Sequence, residues 1–354
     1  MRGTRKSRRL LTPSRRRPVI RPAIIVIALL AVGLRLVSLA PAPIKARAVA
    51  AAPSARPLAA AARPSTHPSA GGGAAPSVRP SPSASVRPLP AIKVLGFSGS
   101  WLKSHPIAQP PAIDGRAAIV VDASSGQILY WQNASTRYPE ASLTKLMTAM
   151  VAADVAPLDQ SITVSPAAAQ MPPTRMGLGA GEQLTTRELV EGMLLDSGND
   201  AAEAIAQGIV DRARFISLLN QKAAGMHLKD TAFANPTRLD DPAHYSSAYD
   251  LAVMLATILR DYPEIRAIMG QRSIAIAATG THSAFTPYNL DRLLWSYPGT
   301  VAGKPGYTDA AGYCLVVAAT RGNRTVLAVV LGSDQHFTDG ATLLNFGFAH
   351  PVIR

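Results

Sequence analysis

The sequence predicts an α+β fold for residues 112–354, a stretch long enough to bury one sizeable core. Two strand-like runs, at residues 117–122 and 127–131, come before a block of helical patterns. Two more apolar strand-like runs follow that block, at residues 312–320 and 325–331. Because strands at both ends of the domain need partners, we expect them to share one sheet with the helices packed against it.

Local patterns predict the remaining elements. Residues 123–126 are typical of a hairpin turn, and an apolar helix is predicted from Ser142 to about Ala153. Ser247 stands three residues before Asp250, close to a capping box, which predicts a helix start. Further helices are predicted over residues 186–195 behind a threonine cap, from Asp200, from Asp211 and over about residues 339–348.

Ser142 and Lys145 are the first candidate site residues. Their spacing of three places both side chains on one face of the predicted helix, within reach of each other. A serine hydroxyl is a weak nucleophile at neutral pH, but a lysine amine in a desolvated pocket can lose its proton and accept the one from serine. The pair alone is a short pattern that also occurs by chance on solvated helices, so its meaning depends on the motifs that follow.

Two later motifs supply candidates for proton transfer and substrate binding. In the loop between two predicted helices, Ser197 can pass a proton between Lys145 and a leaving group, and the Asn199 amide can hold a substrate amide. At a strand edge, Lys304 can attract a carboxylate while Gly306 lets a substrate backbone approach closely. Taken singly, the first motif is also ordinary loop and capping chemistry, and the second is also a surface turn.

Charge is divided unevenly along the chain. The first 111 residues contain 18 of the 36 Lys and Arg residues and none of the 22 Asp and Glu residues. The net charge of +14 is therefore a property of the N-terminal third, and it does not indicate nucleic-acid binding by the domain. The seven histidines are scattered without paired metal-ligand spacing, so we expect no metal and no cofactor.

The N-terminus is expected to direct export. Within residues 1–40, nine Lys or Arg residues precede an apolar run over 22–34, which is typical of a signal peptide or a membrane anchor. Residues 41–111 are rich in Pro, Ala and Ser and predict a disordered linker, of which 91–111 could also pack on the domain as an arm.

The three motifs in this order resemble the signature of the penicillin-binding proteins and serine β-lactamases. The flanks at residues 140–149, 197–202, 244–250 and 306–316 resemble the low-molecular-weight D-alanyl-D-alanine carboxypeptidases over about residues 112–350. The resemblance implies a β-lactamase/transpeptidase-like fold: a five-stranded antiparallel sheet flanked by helices, with a helical cluster beside it.

The same resemblance implies a function and a role for each site residue. Ser142 would attack the penultimate D-alanine of a peptidoglycan stem peptide, with Lys145 as base and Ser197 as proton relay. Asn199 would clamp the substrate, and Lys304 would hold its terminal carboxylate. The backbone N–H groups of Ser142 and Tyr307 would form an oxyanion hole beside Gly306, and a β-lactam antibiotic would acylate Ser142. The implied location is the extracytoplasmic face of a bacterial cell envelope, with the protein secreted or anchored through an uncleaved N-terminal segment.

Two motifs depart from the family pattern. Pro305 replaces the usual Thr or Ser of Lys-Thr-Gly, which removes a hydroxyl and a backbone donor near the substrate carboxylate. Thr237 and Arg238 stand where His-Gly is usual, so the loop there is expected to differ. The alternatives left open are a peptidoglycan endopeptidase or transpeptidase and a non-catalytic module that binds peptidoglycan or β-lactams. A β-lactamase is disfavoured because we find no glutamate segment suited to rapid deacylation.

Overall fold

The computed structural model describes residues 86–107 and 109–350. The predicted signal peptide or anchor at residues 1–40 lies outside the described residues, and so does the linker as far as residue 85. Within the described ranges, no helix is both long enough and apolar enough to cross a membrane.

Seven strands and a series of helices make up the described part of the domain. In chain order the first elements are α1 (Ser100–Ser104), β1 (Ala117–Asp122), β2 (Gln127–Gln132), a 3₁₀ turn (Ala141–Thr144), α2 (Lys145–Val155), β3 (Ser161–Thr163), α3 (Pro166–Ala169), β4 (Gln183–Thr185), α4 (Thr186–Leu195), α5 (Asn199–Ile209) and α6 (Arg212–Gly225). They are followed by α7 (Ala248–Asp261), α8 (Pro263–Met269), α9 (Leu293–Ser296), β5 (Thr300–Thr308), β6 (Gly312–Arg321), β7 (Arg324–Ser333) and α10 (His336–Ala349).

The main sheet joins strands from both ends of the domain, as predicted. Its order is β2-β1-β7-β6-β5, and every neighbouring pair is antiparallel. The central pairing aligns Ala118 of β1 with Val330 of β7. The expected five-stranded antiparallel sheet and the α+β class are therefore confirmed. Strand β5 lies at one edge of the sheet, so one side of its backbone is open to a ligand.

Side chains of the inner strands are buried on both faces of the sheet. Ile119 and Val121 of β1 face the larger core, which includes α2, α4, α5 and α7. Ala118 and Val120 face a second core formed with α10. Gly347 lets α10 lie close to the sheet, because a Cβ there would stand 2.5 Å from Val326 Cγ1. The sheet is thus a middle layer that holds its edge strand rigidly.

Helix starts follow the predicted caps. Helix α4 begins after a complete capping box between Thr185 and Glu188, while Asp211 caps α6 and Ser247 caps α7. Helix α10 starts one turn earlier than predicted, at His336. The small β3–β4 hairpin and α8 were not predicted, because short elements carry too few residues for a periodic signal.

Two predicted boundaries differ from the structure. Ser142 lies in the 3₁₀ turn, and the α-helix begins only at Lys145. Residues 86–107, which fall in the interval predicted to be a linker, lie against the domain, and this corresponds to the arm considered for residues 91–111. Ser98 donates its N–H to the Gly126 carbonyl and accepts from the Ile128 N–H. The apolar side chains of this segment explain the packing, since they contact both cores; they are Val86, Leu89, Ile92, Leu95, Phe97, Trp101 and Leu102.

We expect the arm to stabilise the domain mainly through Trp101, whose side chain is 6 % exposed. Trp101→Ala should lower the free energy of unfolding by about 3 kcal/mol, because it removes a large buried aromatic side chain. Trp131, which is 39 % exposed, provides the matched control, and Trp131→Ala should cost less than half as much. Chemical denaturation monitored by circular dichroism measures both values, and equal losses would contradict a packed arm.

Candidate active site

The predicted motifs meet at a cleft of about 690 Å³ beside the edge strand β5. Ser142 and Ser197 lie on its helical side, and Pro305, Gly306 and Tyr307 of β5 lie on its sheet side. The remaining lining residues are Thr174, Arg238, Leu290, Arg292, Tyr313, Asp334, Gln335, His336, Phe337 and Thr338. The cleft therefore joins residues that are more than 150 positions apart in sequence.

A buried polar cluster shapes the turn that carries Ser142. The Thr144 hydroxyl lies 2.8 Å from the Ala141 carbonyl oxygen and 2.8 Å from His244 Nε2. His244 Nε2 also lies 3.0 Å from Glu140 Oε1. Ala141 adopts a left-handed backbone conformation with φ 51°. These contacts tighten the chain into a 3₁₀ turn, which places the Ser142 side chain at the cleft and not along the axis of α2.

Lys145 makes the contact with Ser142 that the Ser-x-x-Lys spacing predicts, and two further hydrogen bonds. Its Nζ donates to Ser142 Oγ at 3.2 Å, to Asn199 Oδ1 at 2.8 Å and to the Thr237 carbonyl at 3.1 Å. The side chain is fully buried. Burial lowers the pKa of Lys145 well below its ordinary value, and the positive charges of Lys304 and Arg238 lower it further. A neutral amine beside Ser142 can accept the hydroxyl proton.

Ser197 lies in the wall of the cleft, where its side-chain hydroxyl is available for a hydrogen bond. Its backbone is left-handed, with φ 61°, and its carbonyl accepts a hydrogen bond from Thr174 Oγ1 at 2.8 Å. Its Oγ is buried and has no hydrogen-bond partner among the described residues. A buried hydroxyl without a partner is costly unless a ligand or a transferred proton uses it.

Asn199 lies beside Lys145, and its side-chain amide is hydrogen-bonded on both sides. Its Oδ1 accepts from Lys145, and its Nδ2 donates to the carbonyls of Pro172 and Pro173 at 3.0 and 3.2 Å. The side chain therefore links the general-base candidate to the loop above the cleft. Because Oδ1 accepts only one of these bonds, its second lone pair could still accept a substrate N–H, so the predicted role as a substrate clamp stays a prediction.

Lys304 of β5 is fully buried. Its Nζ donates to the Pro305 carbonyl at 3.2 Å. Burial lowers the pKa of Lys304 to about 7, against the opposing influence of Asp291 and Asp196. Burial also raises the pKa of Asp291 to about 6. Near neutral pH this lysine thus carries only part of its charge. Its side chain lies on the same face of β5 as Gly306, the face that meets the Ser142 turn, and its charge also acts on Lys145.

Gly306 brings β5 against the Ser142 turn. A Cβ at this position would stand 2.8 Å from the Ser142 nitrogen and 3.1 Å from Ala141 Cβ, so glycine alone fits. One residue further on, the Tyr307 carbonyl accepts from the Arg238 guanidinium and therefore faces the cleft. In an antiparallel strand the N–H and C=O of one residue point to the same side, so the Tyr307 N–H faces the cleft as well.

Pro305 shares the orientation of Tyr307. Residues two apart in a strand present their backbones to the same side, so the missing N–H of Pro305 belongs to the cleft side and leaves the β5–β6 ladder intact. The backbone donor that proline lacks would therefore have faced the cleft, as expected from the sequence. Proline is accepted here because β5 is the edge strand.

Two residues that build the site were not singled out as site residues from the sequence. Asp200 accepts from the N–H groups of Met176, Gly177 and Leu178 at 2.8 to 3.1 Å, which ties the 172–178 loop to α5. Arg238 reaches across the cleft, where its Nη2 donates to the Pro173 carbonyl at 2.6 Å. An acid that follows Ser-x-Asn is also typical of an ordinary helix cap, so Asp200 gave no separate signal in the sequence. Arg238 departs from the family pattern, but the sequence did not show where its side chain points.

Comparison with known proteins supports one family. The model of the D-alanyl-D-alanine carboxypeptidase family, peptidase family S11, matches residues 104–335. The chain is 34 % identical to D-alanyl-D-alanine carboxypeptidase DacF of Bacillus subtilis over 69 % of its own length and 65 % of that protein. It is 37 % identical to DacD of Escherichia coli over 68 % of its length and 63 % of that protein. The match thus spans slightly less than two thirds of these relatives.

Comparison with solved structures supports the same family. The Streptomyces K15 DD-transpeptidase is 30 % identical, with a TM-score of 0.65 over 69 % of this chain and all of that one. A D-alanyl-D-alanine carboxypeptidase from Mycobacterium tuberculosis is also 30 % identical, with a TM-score of 0.65 over 70 % of this chain and 96 % of that one. With the family model covering most of the domain, the chain belongs to the D-alanyl-D-alanine carboxypeptidase family.

Proposed function

We propose that this protein is a serine-type D-alanyl-D-alanine carboxypeptidase, which removes the terminal D-alanine from peptidoglycan stem peptides. The observation that carries the proposal is the buried Lys145 amine, 3.2 Å from Ser142 Oγ, with a pKa lowered by burial and by two nearby cations. That arrangement supplies a base to a nucleophile inside a cleft. The N-terminal basic and apolar segment supports a location at the extracytoplasmic face of a bacterial cell envelope.

The proposed reaction has two steps, acylation of Ser142 and hydrolysis of the acyl enzyme. Ser142 Oγ bonds to the carbonyl carbon of the penultimate D-alanine while Lys145 takes the hydroxyl proton. The backbone N–H groups of Ser142 and Tyr307 stabilise the oxyanion, each by about 3 kcal/mol in comparable sites. The carbon–nitrogen bond then breaks, and Ser197 relays the proton to the leaving amine. Water next adds to the acyl group, releases the shortened peptide and returns a proton to Ser142.

A β-lactam would enter the same chemistry, since its ring amide presents the same carbonyl to Ser142. The leaving nitrogen stays attached to the acyl group, so water gains less access and the acyl enzyme persists. The β-lactam would thus be an inhibitor. Lys304 of β5 would provide the positive field for the carboxylate of either the peptide or the antibiotic.

The first test measures acylation by a fluorescent penicillin and D-alanine release from a stem pentapeptide. We expect the wild type to show both and Ser142→Ala to show neither, because the variant lacks the nucleophile. Labelling without D-alanine release would favour the endopeptidase or the β-lactam-binding alternative. A folded wild-type protein that is not labelled would exclude acyl-serine chemistry.

The rate of acylation should depend on pH through both buried lysines. The rate should rise as Lys145 loses its proton, at a pH well below the usual range of a lysine, and should fall as Lys304 loses its charge above about pH 7. The measurement is the second-order rate constant for penicillin acylation from pH 5 to 10. Lys304→Arg keeps its charge over this range, so in that variant the alkaline limb should disappear. A rate that climbs only near pH 10 would contradict a neutral Lys145.

Pro305→Thr should improve the binding of substrates with a free terminal carboxylate. The threonine restores a hydroxyl and a backbone donor on the cleft side of β5, each typically contributing about 1 kcal/mol. We therefore expect KM for a peptide acid to fall roughly tenfold or more, since about 1.4 kcal/mol is a factor of ten. The peptide amide serves as the control and should change little. An equal gain for acid and amide would argue against a carboxylate contact at this position.

A further inference from the structure

Arg238 spans the entrance of the cleft. Its guanidinium donates to the Tyr307 carbonyl on the sheet side and to the Pro173 carbonyl on the helical side. Its Nε is buried and has no hydrogen-bond partner within the described part of the chain. In the same ranges no carboxylate lies within ion-pair distance of it. The guanidinium is thus a permanent charge that backbone dipoles alone compensate.

The substrate path passes this charge. If a peptide pairs with β5, the residue whose carbonyl is attacked exchanges both hydrogen bonds with Tyr307, because its C=O lies at the Tyr307 N–H. Its own N–H then points at the Tyr307 carbonyl, which already accepts from Arg238. Either Arg238 moves aside or the carbonyl accepts both donors, since its oxygen has two lone pairs.

The direction of the peptide follows from the terminal carboxylate. With that carboxylate held near Lys304, the peptide runs antiparallel to β5, and the residue preceding the two D-alanines lies beyond Tyr307, toward Thr308. The loop that carries Arg238 is fixed at this end, since Thr308 Oγ1 donates to Asp240 Oδ1 at 2.7 Å. The bond to the Tyr307 carbonyl therefore places the Arg238 guanidinium beside the position of the preceding residue, while its positive charge also acts on Lys304.

We propose that Arg238 is a specificity-determining residue that binds a carboxylate on the side chain of the residue preceding the two D-alanines. This inference rests on the proposed function of the same cleft. A carboxylate would replace the two backbone carbonyls as the partner of the guanidinium and form charge-assisted, bidentate hydrogen bonds. An uncharged amide would gain less, and a side-chain amine would be repelled. Asp240 is exposed and already accepts from Thr308, so it leaves this preference in place.

Three acetylated peptides of the form X-D-Ala-D-Ala test the proposal. X is L-2-aminoadipate, its side-chain amide or L-lysine, so only the charge at the end of the side chain changes. The wild type should favour the acid over the amide by about tenfold in kcat/KM, as expected for a charge-assisted hydrogen bond. Arg238→Gln should bring that ratio close to one, and Arg238→Lys should retain part of it.

Arg292→Gln provides the matched control, because it removes a positive charge from the same cleft at a different wall. It should leave the ratio of acid to amide unchanged, whatever its effect on the rate. A wild type that does not distinguish acid from amide would overturn the proposal, and so would an Arg238→Gln variant that still does.

A second readout separates this inference from the proposed function. The same peptides compete with a fluorescent penicillin for Ser142, and competition requires binding without turnover. If none of the peptides releases D-alanine, the carboxypeptidase proposal fails. The role of Arg238 is then decided by the peptide concentration that prevents labelling of Ser142. In the wild type the acid should protect at about tenfold lower concentration than the amide, and in Arg238→Gln the two should protect equally.

Discussion

The burial of the Lys145 amine against neutral acceptors is the interaction on which the rest of the site depends. Another buried lysine in the same domain shows the contrast, since Lys222 Nζ lies 2.7 Å from Asp154 Oδ2 and 2.7 Å from the Tyr262 hydroxyl. That lysine has a carboxylate partner. Lys145 has a hydroxyl, an amide oxygen and a backbone carbonyl, while the cations nearest to it oppose its charge. Its environment therefore favours the free base.

Several distant segments must converge to keep that environment. Asn199 connects Lys145 to the carbonyls of Pro172 and Pro173, and Asp200 fixes the following residues of the same loop. Gly306 presses β5 against the Ser142 turn from the other side. The sheet makes this close approach reproducible, because it is buried between two cores and holds its edge strand rigid.

The sequence was informative where a local pattern has a local cause. A threonine cap and Ser247 predicted the starts of α4 and α7, and the spacing of Ser142 and Lys145 predicted their contact. The arm at residues 86–107 was harder to predict. Its apolar residues are spaced among Pro, Ser and Gly without a regular period, and they are buried only by contact with the two cores of the domain. The bonds of Asn199 and Arg238 to distant carbonyls depend on tertiary geometry, for which one sequence has no signal.

The two departures from the family pattern act on one surface. Pro305 lacks donors near the terminal carboxylate that Lys304 would hold. Arg238 presents five N–H donors beside Tyr307, near the C-terminal end of β5. Because burial lowers the pKa of Lys304 to about 7, the charge at the first end weakens at neutral pH, whereas a guanidinium stays charged throughout. Under the proposed function, recognition of negative charge along β5 would thus shift from the leaving residue toward the residue that precedes the two D-alanines. In the proposed reaction, binding energy at that end would be retained in the acyl enzyme after D-alanine has left, so it would orient the ester for water as well as position the peptide for attack.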